Sequence, residues 1–141
     1  MAALVDELRQ VPLFGGLGQR HLRRLAHDFK ARSFKAGTSI LRQGEMSGVG
    51  FFIIRDGNAS VSIDGEVVAR LGPGDYFGEL ALISERARMA TVTAETDVAC
   101  LDISFWNFRR FVKSSPDVAW KLLQRVVDLL AESDQRARSR R

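Results

Sequence analysis

The sequence predicts an α+β domain: helices first, then an antiparallel roll or barrel of short strands, then a long closing helix. Three observations predict it. Of the 12 glycines, nine fall between Gly37 and Gly78 and none follows Gly78, so the middle is punctuated for tight turns and the end is not. Short β-favouring runs alternate with Asp-Gly pairs across that middle. Ser115-Pro116-Asp117 then opens a stretch rich in apolar residues at helical spacing.

The first helical zone covers residues 3–30. Leu4, Leu8 and Val11 fall at helical spacing before Pro12, and Leu22, Leu25, Ala26 and Phe29 form an apolar stripe on a second helix. His21 and His27 sit on or beside that helix without the spacing of a ligand set. The β zone covers 32–103. Its runs are Ile40-Leu41, Phe51-Phe52-Ile53-Ile54, Val61/Ile63, Val67-Val68, Thr91-Val92-Thr93 and Val98-Ala99-Cys100-Leu101. Asp64-Gly65 between Ser-Ile and Glu-Val-Val signals a hairpin, because a tight primed turn needs positive φ. Val61 and Ile63 alternate with Ser60 and Ser62, so one buried and one wet face are expected. Cys100 fits a small buried hydrophobe.

The closing zone covers 104–135. Ser104 can cap a helix carrying Phe105, Phe108, Phe111 and Val112. Ser115 offers a capping hydroxyl, Pro116 suits the first turn, and Asp117 complements the positive helix end. Val118, Ala119, Leu122, Leu123, Val126, Val127, Leu129 and Leu130 cover more than one face of the helix that follows. Either that helix has one broad buried face, or part of it packs on a partner such as a second copy.

Length and composition bound the function. At 141 residues and 15.7 kDa the chain suits one domain; 1–135 is predicted as that domain and 136–141 as a basic tail. With 45% apolar and 27% charged residues it is globular rather than disordered. No apolar run approaches membrane-spanning length, and the polar start is unlike a signal peptide, so a cytoplasmic location is expected. The single cysteine excludes an internal disulfide framework and a multi-Cys zinc site, and two histidines are too few for a histidine-rich cage. The net charge of +4 comes from Arg136, Arg138, Arg140 and Arg141; without these four, 17 basic residues face 17 acidic ones. Such a tail fits a solvated end, and neither DNA nor a membrane is expected as a partner.

The stretch from Phe77 to Ala94 carries the chemistry. Gly78 permits a sharp turn or a close backbone approach before a short helix from Glu79 to about Ile83. A helix start welcomes an anion. Glu79 stands at that start and Arg88 follows nine residues later, among the small residues Gly78, Ala81, Ala87 and Ala90. Arginine matches a phosphate with two parallel donors, and a carboxylate accepts from sugar hydroxyls. By spacing alone the two charges fit either an anion site or a structural ion pair.

The segment Phe77-Gly78-Glu79-Leu80-Ala81-Leu82, followed by Arg88-Met89-Ala90-Thr91-Val92, resembles the phosphate-binding cassette of the cyclic nucleotide-binding domain family. The similarity spans nearly the whole chain: Val11-Pro12-Leu13-Phe14, Phe34 with Ala36-Gly37, Gln43-Gly44-Glu45, Phe52-Ile53-Ile54 before Gly57, and Leu71 with Gly74-Asp75 fall in the family's order. The resemblance implies a jelly-roll type of β-roll, a double-stranded β-helix. It implies Glu79 on the ribose 2′-hydroxyl and Arg88 on the cyclic phosphate. Backbone N–H groups around Gly78, Leu80, Ala81 and Ala90 would complete the cradle, with Val61, Val68 and Ala69 as the wall for ribose and base. It places Arg86 in the variable stretch and Ser133 and Asp134 near the residues that touch the base. Ala87 stands where the family has proline, which loosens the loop. Met89 stands where a hydroxyl in the family helps hold cGMP, which favours cAMP, with cGMP as the alternative.

The implied function is a cyclic nucleotide sensor that converts occupancy into movement of the last helix, with an unidentified downstream protein partner and no further cofactor. A scaffold that binds no nucleotide is the alternative, permitted by Ala87 and Met89; the retained Glu79/Arg88 pair discriminates between them. Catalysis is not expected. There is no Gly-x-Ser-x-Gly elbow, no Gly-Lys-Ser/Thr after Gly72-Pro73-Gly74, and no histidine in the β zone.

Overall fold

The computed structural model describes residues 2–45, 50–79 and 89–139. Helix α1 (Ala2–Arg9), a 3-10 turn (Pro12–Phe14) and α2 (Gln19–Asp28) precede the strands. One antiparallel sheet holds β1 (Lys30–Phe34), β8 (Val98–Ile103), β3 (Phe51–Asp56) and β6 (Tyr76–Phe77), in that order. The other holds β2 (Ser39–Leu41), β7 (Thr91–Ala94), β4 (Ala59–Ile63) and β5 (Glu66–Leu71). Helices α3 (Phe105–Ser114) and α4 (Pro116–Ser139) close the chain. This is the expected α+β roll with flanking helices.

Strand β3 explains how the layers hold together. Phe51 and Ile53 point toward the helices, in a core with Phe14, Leu22, Leu25, Phe108, Phe111, Val118 and Leu122. Phe52 and Ile54 point the other way, into a second core between the sheets with Phe77, Val92, Val98 and Cys100. A strand covered on both faces reads as an unbroken apolar run. Phe51 stacks on Phe108 of α3 with centroids 4.1 Å apart, and Phe52 stacks on Phe77 at 4.9 Å. Burial pushes the Cys100 thiol up to about 11, so the group stays a neutral apolar filler at neutral pH.

Several polar links fix the outer elements. Arg55 of β3 donates two hydrogen bonds to Glu7 of α1, at 2.8 and 3.0 Å. Lys121 of α4 donates to the Pro12 carbonyl at 2.9 Å. Arg32 pairs with Asp102 at 3.3 Å and lies 4.8 Å from the Phe34 ring centre. Burial raises the Asp102 carboxyl above its ordinary range, and the nearby Arg32 guanidinium opposes that shift. The β4–β5 turn is the predicted primed hairpin: Asp64 has φ +53°, Gly65 has φ +82°, and Ile63 pairs with Glu66.

Five details differ from the sequence expectation. Strand β1 carries no apolar run, because its side chains are mostly exposed; pairing with β8 makes it a strand. Strand β6 is only two residues long, held by β3. In β4 the inside–outside alternation is blurred, and Ser60 through Ile63 are all half-buried. Ser104 caps α3 as expected, accepting from the Asn107 N–H at 3.2 Å. The Ser115 hydroxyl, however, is buried without a hydrogen-bond partner among the described residues; Ser115 is the one-residue hinge between α3 and α4, and its N–H is used by Val112. Finally, α4 continues through Arg136 to Ser139, beyond the expected helix end at 135, with the Ser139 hydroxyl donating back to the Gln135 carbonyl and Arg138 pairing with Asp134. Beyond Glu79, the short helix expected up to about residue 83 lies outside the described residues. Among the described residues no helix is long and apolar enough to cross a membrane.

Truncating the stacked ring at the sheet–helix junction tests this account. Phe108→Ala is expected to lower the unfolding free energy by about 3–5 kcal/mol, read from urea titrations; a loss below about 1 kcal/mol would show that the junction is not held there.

Candidate functional site

The entrance to the cassette is built by a turn clipped to β3. The Gly72 N–H donates to the Asp75 carboxylate at 2.8 Å, and the Asp75 N–H returns to the Gly72 carbonyl at 3.0 Å. The Gly74 N–H donates to the Ile54 carbonyl at 2.8 Å, and the Ile54 N–H donates to the Asp75 carbonyl at 2.9 Å. This closed set of bonds delivers Tyr76 and Phe77 onto β3. Gly78 follows with φ +97°, a left-handed conformation that turns the chain out of the sheet. Glu79 comes next and is 5% exposed. A carboxylate at that depth needs charged or hydrogen-bonding company. Its field is felt nearby: burial raises the Tyr76 phenol above its ordinary range, the Glu79 carboxylate adds to the rise, and Arg125 of α4 opposes it.

The cassette exit lies beside the β4–β5 hairpin. Ala90 is half-buried and Met89 is exposed. Thr91 then enters β7, pairs with Ser62 and accepts the Gln43 N–H at 2.9 Å. In the next register position Val61 pairs with Val92 on one side and Ala69 on the other. The β4–β5 register slips between Val61 and Ser62, which leaves Val68 as an extra, unpaired residue. A bulge of this kind re-aims side chains. Val68 is half-buried in a cleft, Val61 packs on the inter-sheet core, and Ala69 is exposed.

That cleft, about 410 Å³, lies between β5 and the last turns of α4, with Glu66, Val68, Glu132, Gln135, Arg136 and Ser139 around it. Its α4 residues recur at helical spacing on one face. Ser133 and Asp134, the two residues expected to reach the base, are exposed and outside this lining; Asp134 pairs instead with Arg138 at 3.1 Å. Glu132, Gln135, Arg136 and Ser139 follow one another at spacings of three, one and three, and that helical spacing is the signal by which the sequence could have grouped them. Arg125 of α4 is thus close enough to act on Tyr76, and eleven residues on, about 16 Å along the helix axis, Arg136 lines the cleft beside β5.

Of the expected site, Gly78, Glu79, Met89, Ala90, Val61, Val68 and Ala69 are placed by the structure as above; Leu80, Ala81 and Arg88 lie outside the described residues. Among the described residues there is no cluster of His, Cys, Asp and Glu suited to a metal ion.

Residues 31–115 match the model of the cyclic nucleotide-binding domain. The chain belongs to the cyclic nucleotide-binding domain family. It is 41% identical over 109 residues to a cyclic nucleotide-gated potassium channel of Mesorhizobium japonicum, covering 77% of this chain and 30% of the channel. It is 36% identical over 129 residues to a cAMP-dependent protein kinase regulatory subunit of Yarrowia lipolytica, covering 90% of this chain and 31% of that subunit. The chain therefore spans about a third of the curated relatives it matches. The solved structure "cAMP bound PfPKA-R (141-441)" superposes with a TM-score of 0.88 at 29% identity, covering 96% of this chain and 47% of that one. The fold of this cyclic nucleotide-binding domain, from the N-terminal helices to α4, is thus shared with that cAMP-bound structure.

The positive φ at Gly78 offers a direct check on the cassette entrance. Gly78→Ala is expected to cost about 1–2 kcal/mol of stability, measured by thermal unfolding; an unchanged melting temperature would mean that the turn relaxes freely.

Proposed function

We propose that this domain binds cAMP and is a regulatory sensor rather than an enzyme. The observation that carries the reading is the nearly complete burial of Glu79 directly after the left-handed Gly78, at the start of the cassette sequence. In this proposal Glu79 accepts the ribose 2′-hydroxyl and Arg88 pairs with the cyclic phosphate. The N–H groups of Gly78, Leu80, Ala81 and Ala90 share the phosphate charge. Val61, Val68 and Ala69 form the wall, and the Glu132/Gln135/Arg136/Ser139 face of α4 closes over the base in place of Ser133 and Asp134. The named ligand of the superposed regulatory subunit supports cAMP. Met89, 58% exposed and without a hydroxyl, offers cGMP no hydrogen bond at its position. A non-binding scaffold has no need of a carboxylate buried at this depth, which disfavours that alternative.

In this proposal the output runs through α4, whose Arg125 acts on Tyr76 and whose last turns share a cleft with Val68. A ligand that prefers one pose of this helix shifts its population by the difference in affinity between poses. We extend the proposal to a second copy as the partner of the outer face of α4. Trp120, Leu123, Val127 and Leu130 are exposed and recur at spacings of three and four, the seam of a two-helix coil. Their flanks, Ala119, Gln124, Val126 and Ala131, carry no charge, so two copies meet without like-charge repulsion.

Two measurements test these readings. In calorimetry Arg88→Ala is expected to weaken cAMP binding by about 2–5 kcal/mol, while cAMP at about 100 times its dissociation constant adds roughly 2.7 kcal/mol of stability to the unmutated protein. Unchanged binding by the variant, or no melting shift with cAMP while another nucleotide gives one, would overturn the assignment. In sedimentation the unmutated chain is expected to dimerise as concentration rises and a Leu123→Glu, Leu130→Glu variant to stay monomeric; a monomer throughout would remove the dimer.

A further inference from the structure

The formal neutrality of the chain without its arginine tail conceals a strongly uneven distribution. Helices α2 and α3 together carry Arg20, Arg23, Arg24, Arg109, Arg110 and Lys113 against a single acid, Asp28. Their placement is periodic. On α2, Leu22, Leu25 and Ala26 face the core, and the opposite stripe is Arg20, Arg23, Arg24 and His27, all exposed. On α3, Phe108 and Phe111 face the core, and the opposite stripe is Trp106, Arg110 and Lys113, with half-buried Arg109 on its shoulder. The two helices touch, His21 lying edge-on to Phe111 with ring centres 6.2 Å apart. Two neighbouring helices therefore turn outward a field of cations with one indole, Trp106, that is 68% exposed. Asp28 sits at the C-terminal end of α2, and among the described residues Arg20, Arg23, Arg24, Arg110 and Lys113 form no ion pair.

From this we propose that the α2–α3 face docks on an anionic phospholipid surface, a role separate from nucleotide binding. The cations lie on the convex outer sides of helices, spread over two elements. A peptide strand needs a groove or a sheet edge, whereas a layer of headgroups meets a broad array of point charges. The exposed indole beside them favours lipid further, since tryptophan settles at the level between headgroups and acyl chains while arginine and lysine stay with the phosphates. Each cation held near such a surface contributes about a fivefold gain in partitioning, and the attraction fades as salt shortens the Debye length. Exposed surface charge that looks unremarkable as a residue count gains a direction because α2 and α3 share one core and meet at His21 and Phe111.

Co-sedimentation of the full chain with vesicles tests the docking face. The lipid is phosphatidylcholine with roughly one third phosphatidylserine, compared with phosphatidylcholine alone, at about 0.1 M and about 1 M salt. The expected result is binding to the anionic vesicles at low salt only, reduced about a hundredfold in an Arg23→Gln, Arg24→Gln, Arg110→Gln variant. That variant keeps the C-terminal arginines, so undiminished binding would assign the attraction to the tail and overturn the proposal. Equal binding to neutral vesicles, or capture of a single-stranded oligonucleotide with the vesicles left unbound, would overturn it as well. In a Trp120→Phe background Trp106 is the remaining tryptophan; its emission is expected to shift to shorter wavelength on anionic vesicles, and an unshifted emission from bound protein would exclude this face.

Discussion

The burial of β3 on both sides is the constraint on which the rest of the molecule depends. Phe51 and Ile53 require a helical layer over one face of the sheet, and Phe52 and Ile54 require a second sheet over the other. Neither face could be left to water without exposing large apolar surface. The two stacked pairs, Phe51 on Phe108 and Phe52 on Phe77, are the points where those layers are pinned. The second pair matters for function, because Phe77 immediately precedes Gly78 and Glu79. The same packing that closes the roll also fixes the entrance to the cassette.

A site assembled in this way is held from three directions. The clipped turn at 72–75 sets the start of the cassette, the β4–β7 register sets its exit, and the last turns of α4 line a cleft with β5. The β4–β5 register shift leaves Val68 as an extra residue, and Val68 lines a cleft together with Glu132, Gln135, Arg136 and Ser139 of α4. The chain belongs to the cyclic nucleotide-binding domain family, and its long last helix follows α3 after the single intervening residue Ser115.

Much of this was visible in the sequence where a local pattern has a single structural meaning. Asp64-Gly65 meant a primed hairpin because few residue pairs tolerate two positive φ values, and the structure has both. The run Phe51–Ile54 meant a strand, and Ser104 meant a cap. The cassette is legible in the ordered residues Phe77–Leu82 and Arg88–Val92. Patterns with two meanings failed. Lys30–Phe34 carries the composition of an exposed loop, and only the free edge of β8 turns it into β1. Ser115 had the chemistry of a cap but is spent as a hinge. Ser133 and Asp134 are exposed, and the cleft beside β5 is lined by their neighbours Glu132, Gln135, Arg136 and Ser139.

The sequence by itself determined the class of fold, the cassette and its two charged residues, because each depends on which residues are neighbours in the chain. The tertiary structure alone decided which face of α4 meets the roll, how deeply Glu79 is buried, and where the basic residues gather. These depend on how the layers pack. A net charge near zero is a sum over the chain and carries no direction, whereas seating α2 and α3 on one core leaves Arg20, Arg23, Arg24, Arg110 and Lys113 exposed on two neighbouring helices.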